Sequence, residues 1–169
     1  MRPERSAIAT RPASSVHVPQ MCDLLNEIIE IGGTTALETP FDHDTLARAY
    51  LSGEDHISCF VALDEAGDVA GFQALLRHDG LPQGWADIAT FARVRPKLPG
   101  VGAALFAATR GFARATGIIA INATIRADNT GGLSYYEKMG FEIYAVEKGR
   151  PLRDGTPVDR ISKKCVTEA

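Results

Sequence analysis

Residues 87–144, DIATFARVRPKLPGVGAALFAATRGFARATGIIAINATIRADNTGGLSYYEKMGFEIY, decide how this chain reads. At their centre KLPGVG, residues 97–102, lies between a β-like run and a helix-like run. A glycine turn that opens a helix leaves the first amide N–H groups without partners. Those donors and the helix dipole attract an anion, most often a phosphate. A G-x-G pair by itself also serves as an ordinary turn. Val101, Leu105, Ala108, Phe112 and Ala115 then recur at helical spacing, which predicts a helix with one apolar face ended by Gly117. Residues 118–125 are β-branched and nearly all apolar, the pattern of a strand buried on both faces. The stretch closes on NTGGLSYYEKMGF, residues 129–141.

In this order the motifs resemble those of the GNAT superfamily of N-acetyltransferases. The family pattern is R/Q-x-x-G-x-G/A, a long helix, a strand, then N-x-x-A-(x)3-Y-E-K-x-G-F. The matching positions are Lys97, Gly100, Gly102, Asn129, Gly132, Tyr136, Glu137, Lys138, Gly140 and Phe141. A narrower resemblance takes in the front of the chain. NEIIEIGGTTALETPF, residues 26–41, followed by a polar helix, is similar to the phosphinothricin acetyltransferase-like branch. Aligned on the loop glycines, Asp87 stands where that branch usually has glutamate.

Outside this stretch the sequence sets bounds. A chain of 169 residues with 45% apolar residues suits one domain over residues 1–169, with residues 1–6 a frayed terminus. A formal net charge of -3 argues against a nucleic-acid partner. No apolar run has the length of a membrane span, and the N-terminal MRPERSAIATRP lacks the apolar core of a secretory signal. Cys22, Cys59 and Cys165 have no metal-ligand spacing and read as small buried hydrophobes in a reducing, cytoplasmic compartment. His17, His43, His56 and His78 show no ligand spacing either, so no metal site is expected.

The elements follow from periodicity. A short strand is expected at residues 7–11. A helix opens at Ser14 or Ser15, with Val18, Met21, Leu24 or Leu25, Ile28 and Ile31 on one face. A second helix, capped by Asp42 or Asp44, runs to about Leu51. Strands are expected at residues 57–63, 69–76, 85–94, 141–146 and 159–166, with Phe141, Ile143 and Ala145 on one face of the fourth of these. Helices inserted in a mostly antiparallel sheet make an α+β domain of mixed layers. The resemblance implies the same fold: a central sheet whose splayed middle strands, flanked by helices, admit acetyl-CoA.

Acetyl transfer from a thioester to an amine needs a neutral amine, a polarised carbonyl and a proton for the departing thiolate. The resemblance places Tyr136 as the general acid, with its neighbour Tyr135 assigned to packing. It places Asp87 as the base; an ordinary aspartate pKa near ~3.9 suits that task only when burial raises it. Glu38 either meets the substrate amine or caps a turn, and Phe41 lines the substrate side. The resemblance assigns acetyl-CoA to Phe91, Ala92 and Val94 on the strand, and to Lys97, Leu98, Gly100, Val101, Gly102 and Ala103 in the loop. Asn129 either touches the pantetheine arm or caps its helix. Val94 replaces the proline of a V-x-P element, and Pro99 removes one phosphate donor from the loop. Arg93 and Arg95 read as a solvated strand face.

The expected activity is direct transfer from acetyl-CoA to a small-molecule amine, an amino acid or analogue, by a cytoplasmic homodimer. The alternatives are a protein N-terminal or lysine acetyltransferase and a non-catalytic acyl-CoA-binding module. A nucleotide-binding P-loop is excluded, because no G-K-[ST] follows the glycines.

Overall fold

A computed structural model of the chain describes residues 8–167. The terminus expected to fray, residues 1–6, lies outside them. Seven strands are described: β1 Ala9–Pro12, β2 His56–Leu63, β3 Val69–Leu76, β4 Trp85–Ala92, β5 Ala120–Arg126, β6 Glu142–Pro151 and β7 Pro157–Val166. They form one sheet in the order β1-β2-β3-β4-β5-β7-β6. The β4–β5 pair is parallel and the others are antiparallel.

The four helices are α1 Val18–Ile31, α2 His43–Ala47, α3 Val101–Ala115 and α4 Thr130–Lys138. Ser14 caps a 3-10 turn, Ser15–His17, that leads into α1. Asp42 caps α2 by accepting the Thr45 N–H at 2.7 Å. A π-helical turn, Arg48–Ser52, continues α2 and buries Tyr50. Strand alternation divides the core into two layers. On one face Met21, Leu25 and Leu46 of α1 and α2 meet Phe72, Ala74 and Phe91. On the other, Phe106 and Ala113 of α3 and Tyr136 of α4 meet Leu75, Ile88, Ile121 and Ala123.

Three expectations need correction. Ile31 is 52% exposed, because α1 runs past the sheet before Gly32 ends it. In α3 the buried face is Val101, Leu105, Phe106, Thr109 and Ala113, while Ala115 is exposed and Phe112 only half-buried against Phe60. The apolar pattern of this helix is wide enough to admit two faces, and the sheet selects one. In β6 the expected alternation fails. The register slips between Ile143 and Ala145, and the whole strand is exposed because β7, not β6, pairs with β5. Only Phe141, just before the strand, is buried.

Candidate active site

The parallel β4–β5 ladder is short. It pairs Trp85 with Ala120, Ala86 with Ile121 and Asp87 with Asn122, and goes no further. Beyond it residues 88–92 and 123–126 separate, so backbone polar groups on the facing edges have no partner strand among the described residues. This is the splay expected of the middle strands.

Asp87 stands at its apex. By alternation Asp87, Ala89 and Phe91 face the α1–α2 layer, whereas Ala86, Ile88 and Thr90 face the α3–α4 layer. Asn122 Nδ2 donates to Asp87 Oδ1 at 2.8 Å. The Tyr144 hydroxyl donates to Asn122 Oδ1, which fixes the amide with its nitrogen toward the carboxylate. Burial pushes the Asp87 pKa up, against the pull of the Asn122 hydrogen bond and the nearby His78. Trp85 and Tyr144 meet edge to face at 5.7 Å, and Lys164 Nζ lies 5.9 and 5.8 Å from their ring centres. Asp87 is thus half-buried and held by the Asn122 amide, not a freely solvated strand-end carboxylate.

Tyr136 approaches from the other face. It is 7% exposed, and burial raises its pKa strongly. Its hydroxyl pairs with Thr90 Oγ1 at 2.8 Å. Tyr135 and Tyr136 point different ways along a helix, yet their rings touch at 4.9 Å and their hydroxyls join one network. Gln73 Nε2 donates to Thr90 Oγ1 at 3.0 Å and to the Tyr135 hydroxyl at 3.1 Å. Tyr135 in turn donates to the Gly102 carbonyl at 2.7 Å. Burial pushes the Tyr135 phenol to about 12.

The glycine loop ends at Gly100, the α3 N-cap, at φ 89° in the left-handed region. Among the described residues no side chain caps α3, and the Ala104 N–H is the first to close back on Gly100 (3.0 Å). The amides of Val101, Gly102 and Ala103 therefore precede the helical ladder. Lys97 and Ala103 are exposed beside them. Leu98 and Val101 pack their side chains into the core with Ala62 and Leu105, and Phe91 packs beneath α1 and α2. At Val101 and Phe91 the side chain is buried, and at Leu98 it is half-buried. Ala92 and Val94 are exposed. Gly102 has a packing reason of its own: a Cβ there would lie 2.5 Å from the Tyr135 ring.

The remaining assignments lie on a polar rim. Asn129 caps α4, accepting the Gly132 N–H at 2.9 Å, and its amide nitrogen donates to the Thr34 carbonyl at 3.1 Å. Glu38 accepts the Arg153 N–H at 2.8 Å in the β6–β7 turn, a capping contact. Phe41 exchanges hydrogen bonds with Asn26 and stacks 6.1 Å from Tyr50, so its ring belongs to the core beneath α2. Arg93 is not on a solvated face; its guanidinium pairs with Asp64 at 2.9 Å with 19% of the side chain exposed. Arg95 is solvated and pairs with Glu27. Sequence reasoning missed Gln73, Thr90, Asn122 and Tyr144. The signal for two of them was present: Gln73 and Asn122 are amides inside otherwise apolar strands, and a buried amide requires a partner.

A family model described as the acetyltransferase (GNAT) family matches residues 19–141. The chain belongs to the GNAT family of acetyltransferases. Members are acetyl-CoA-dependent acyltransferases, and the splayed strands above the glycine loop are this GNAT protein's version of the family cleft. No curated protein matches it by sequence. Among solved structures it is similar to a phosphinothricin acetyltransferase from Sinorhizobium meliloti determined with acetyl-CoA, with 20% identity over 94% of this chain and 88% of that one and a TM-score of 0.82. An N-acetyltransferase from Staphylococcus aureus Mu50 has 17% identity, coverage of 96% and 100%, and a TM-score of 0.83. A ribosomal-protein-alanine N-acetyltransferase from Brucella melitensis has 18% identity, coverage of 94% and 99%, and a TM-score of 0.81. These likenesses are likenesses of fold, and the fold they share with this chain is the GNAT fold.

Proposed function

We propose that this GNAT enzyme transfers the acetyl group of acetyl-CoA directly to the amine of a small molecule, an amino acid or analogue, with Asp87 as base and Tyr136 as acid. One observation carries the reading: the two side chains approach the splay of β4 and β5 from opposite faces of the sheet. The pyrophosphate rests on the amides of Val101, Gly102 and Ala103 with Lys97 as counter-charge. The pantetheine arm pairs with the free edge of β4 along residues 88–92. Backbone N–H groups there polarise the thioester carbonyl.

The amine enters from the α1–α2 side. Its nitrogen bonds to the acetyl carbon, the carbon–sulfur bond breaks, and the nitrogen proton passes to Asp87 directly or through one water. The departing thiolate takes the Tyr136 proton, and solvent restores it when CoA leaves. Acid and base thus act on different atoms without competing for one proton.

The α1–α2 loop supports a small acceptor. It is tied down at Thr34, Thr35 and Glu38 by Asn129, Arg126 and Arg153, so it borders the site as a fixed wall and not as an open groove. The edge strand β6, with Ile143 and Val146 half or more exposed, supports the homodimer that the resemblance implies. Three free, buried cysteines suit a reducing cytoplasm. The deciding experiment is thiol release from acetyl-CoA against the twenty amino acids, phosphinothricin and a peptide with an N-terminal alanine. Acetylation of a free amino acid or phosphinothricin is expected. Acetylation of the peptide alone would move the enzyme to protein acceptors, and tight acetyl-CoA binding without transfer would make it a binding module.

A further inference from the structure

Gln73 is fully buried in β3, and its side-chain oxygen has no hydrogen-bond partner among the described residues. A buried orphan acceptor is unfavourable, so the residue's value lies in what its nitrogen does. That nitrogen makes two bonds, to Thr90 Oγ1 and to the Tyr135 hydroxyl. Their direction can be deduced. The Gly102 carbonyl only accepts, so the single Tyr135 proton goes to it at 2.7 Å. The Tyr135 oxygen then requires a donor from Gln73, which sets the amide with its nitrogen toward both hydroxyls. Thr90 receives the other Gln73 N–H and keeps its own proton to give. Its other partner is the Tyr136 hydroxyl at 2.8 Å, a contact in which either oxygen can be the donor.

We propose that Thr90, oriented by Gln73, is a positioning residue that donates its hydroxyl hydrogen bond to the Tyr136 oxygen and leaves the Tyr136 proton free for the departing thiolate. The proposal rests on the reading of Tyr136 as general acid. In the step itself the carbon–sulfur bond breaks and the sulfur takes the Tyr136 proton. The negative charge appears on the Tyr136 oxygen, where the Thr90 O–H already points. Thr90 keeps its proton throughout, and solvent reprotonates Tyr136. Without that donor a phenolate would form in an apolar pocket among Phe141, Phe106 and Tyr135. The same chain of bonds joins the acid to the carbonyl of Gly102 in the first turn of α3, so cofactor loop and acid are held in one frame.

The test isolates thiolate departure. Hydroxylamine is a small nucleophile that is largely unprotonated at neutral pH, so its attack needs no prior deprotonation, and the acidic N–H it acquires on attack makes it less dependent on the base than an alkyl amine. Thiol release from acetyl-CoA with hydroxylamine is measured for the wild type and for Thr90→Val, Thr90→Ser, Tyr136→Phe and the Thr90→Val/Tyr136→Phe double variant. Thr90→Val is expected to lower kcat by about 10- to 100-fold, the range for a hydrogen bond to a charged group, with KM for acetyl-CoA unchanged. Thr90→Ser, which keeps the hydroxyl, should restore most of the rate. In the Tyr136→Phe background Thr90→Val should cost nothing further, because the bond's acceptor is gone. If Thr90→Val turns over normally while Tyr136→Phe is slow, the positioning role is overturned and Tyr136 stands as the acid. If Tyr136→Phe turns over normally, the acid reading itself falls. An equal loss from Thr90→Val in both backgrounds would mark Thr90 as packing. Should Thr90→Val not fold, Gln73→Leu removes the orienting donor together with the orphaned oxygen, and a wild-type kcat in that variant would overturn the proposal.

Discussion

At the scale of single residues, Asp87 carries the clearest trade between function and stability. Its folded pKa is raised by burial, so folding favours the protonated form. The associated stability is complete below the unfolded value and is lost as pH rises through the folded pKa. At neutral pH the ionised carboxylate therefore weighs against the fold. Asp87→Asn keeps the shape and can still accept from Asn122. It should melt higher than the wild type at pH 7 to 8, with the gain fading toward pH 4, while acetyl transfer falls and the acidic limb of its pH–rate profile flattens. Melting curves at a series of pH values and initial rates check both halves; a variant that transfers normally would pass the base to another group. Asp87→Glu, the residue usual in the resembling branch, should retain activity. Tyr136→Phe should lower turnover by roughly 10²–10⁴ with cofactor affinity nearly intact, as single-turnover and equilibrium binding measurements would show.

At the scale of elements, α3 is the joint between cofactor and catalysis. It lies close on β3 because Gly71 has no side chain; a Cβ there would come within 2.6 Å of Val101 and 2.9 Å of the Phe91 carbonyl. It lies close on α4 because Gly102 has none either. Gly102→Ala should destabilise the fold by about 1–3 kcal/mol, the usual cost of overpacking, measured by urea denaturation. Tyr135→Leu should recover part of that loss, since it removes the ring in the way. A glycine-loop variant meant to test phosphate binding must therefore avoid position 102. Ala103 is exposed in the first turn of α3. Ala103→Asp should stabilise the free protein by about 0.3–1 kcal/mol, because a carboxylate suits a helix N-terminus. The same charge should reduce the melting-temperature rise given by acetyl-CoA, because it repels the pyrophosphate. Unaltered binding in that variant would remove the anion from this helix.

At the scale of the whole molecule, the sheet order leaves one long edge. β6 is ten residues long and exposed throughout, with Ile143 and Val146 59% and 50% exposed. An edge of that length invites pairing unless another surface covers it. The homodimer proposal predicts that Val146→Lys shifts sedimentation from dimer to monomer without lowering the melting point of the protomer. A wild type that sediments as a monomer at micromolar concentration would leave β6 a free edge.

Local chemistry determined much of this protein from the sequence alone. The span Val69–Leu76 was legible as a strand to the residue, because an apolar run between turn signals has few alternatives. The cap at Asp42, the stop at Gly117 and the glycine loop before α3 were legible because each depends on one residue's backbone or side-chain preference. The GNAT motifs added the splay of the middle strands. Tertiary structure alone decided which face of α3 is buried, that β7 inserts between β5 and β6, and that Glu38 meets the backbone of Arg153, 115 positions away. It alone brought Gln73, Thr90, Tyr135 and Tyr136 into one network, although these residues are 17 to 62 positions apart across their hydrogen bonds, save for the adjacent tyrosines. Periodicity reports which residues seek burial, but not the neighbour against which they are buried. Hydrogen bonds between distant residues depend on register and on the meeting of elements, and those are set when the layers pack.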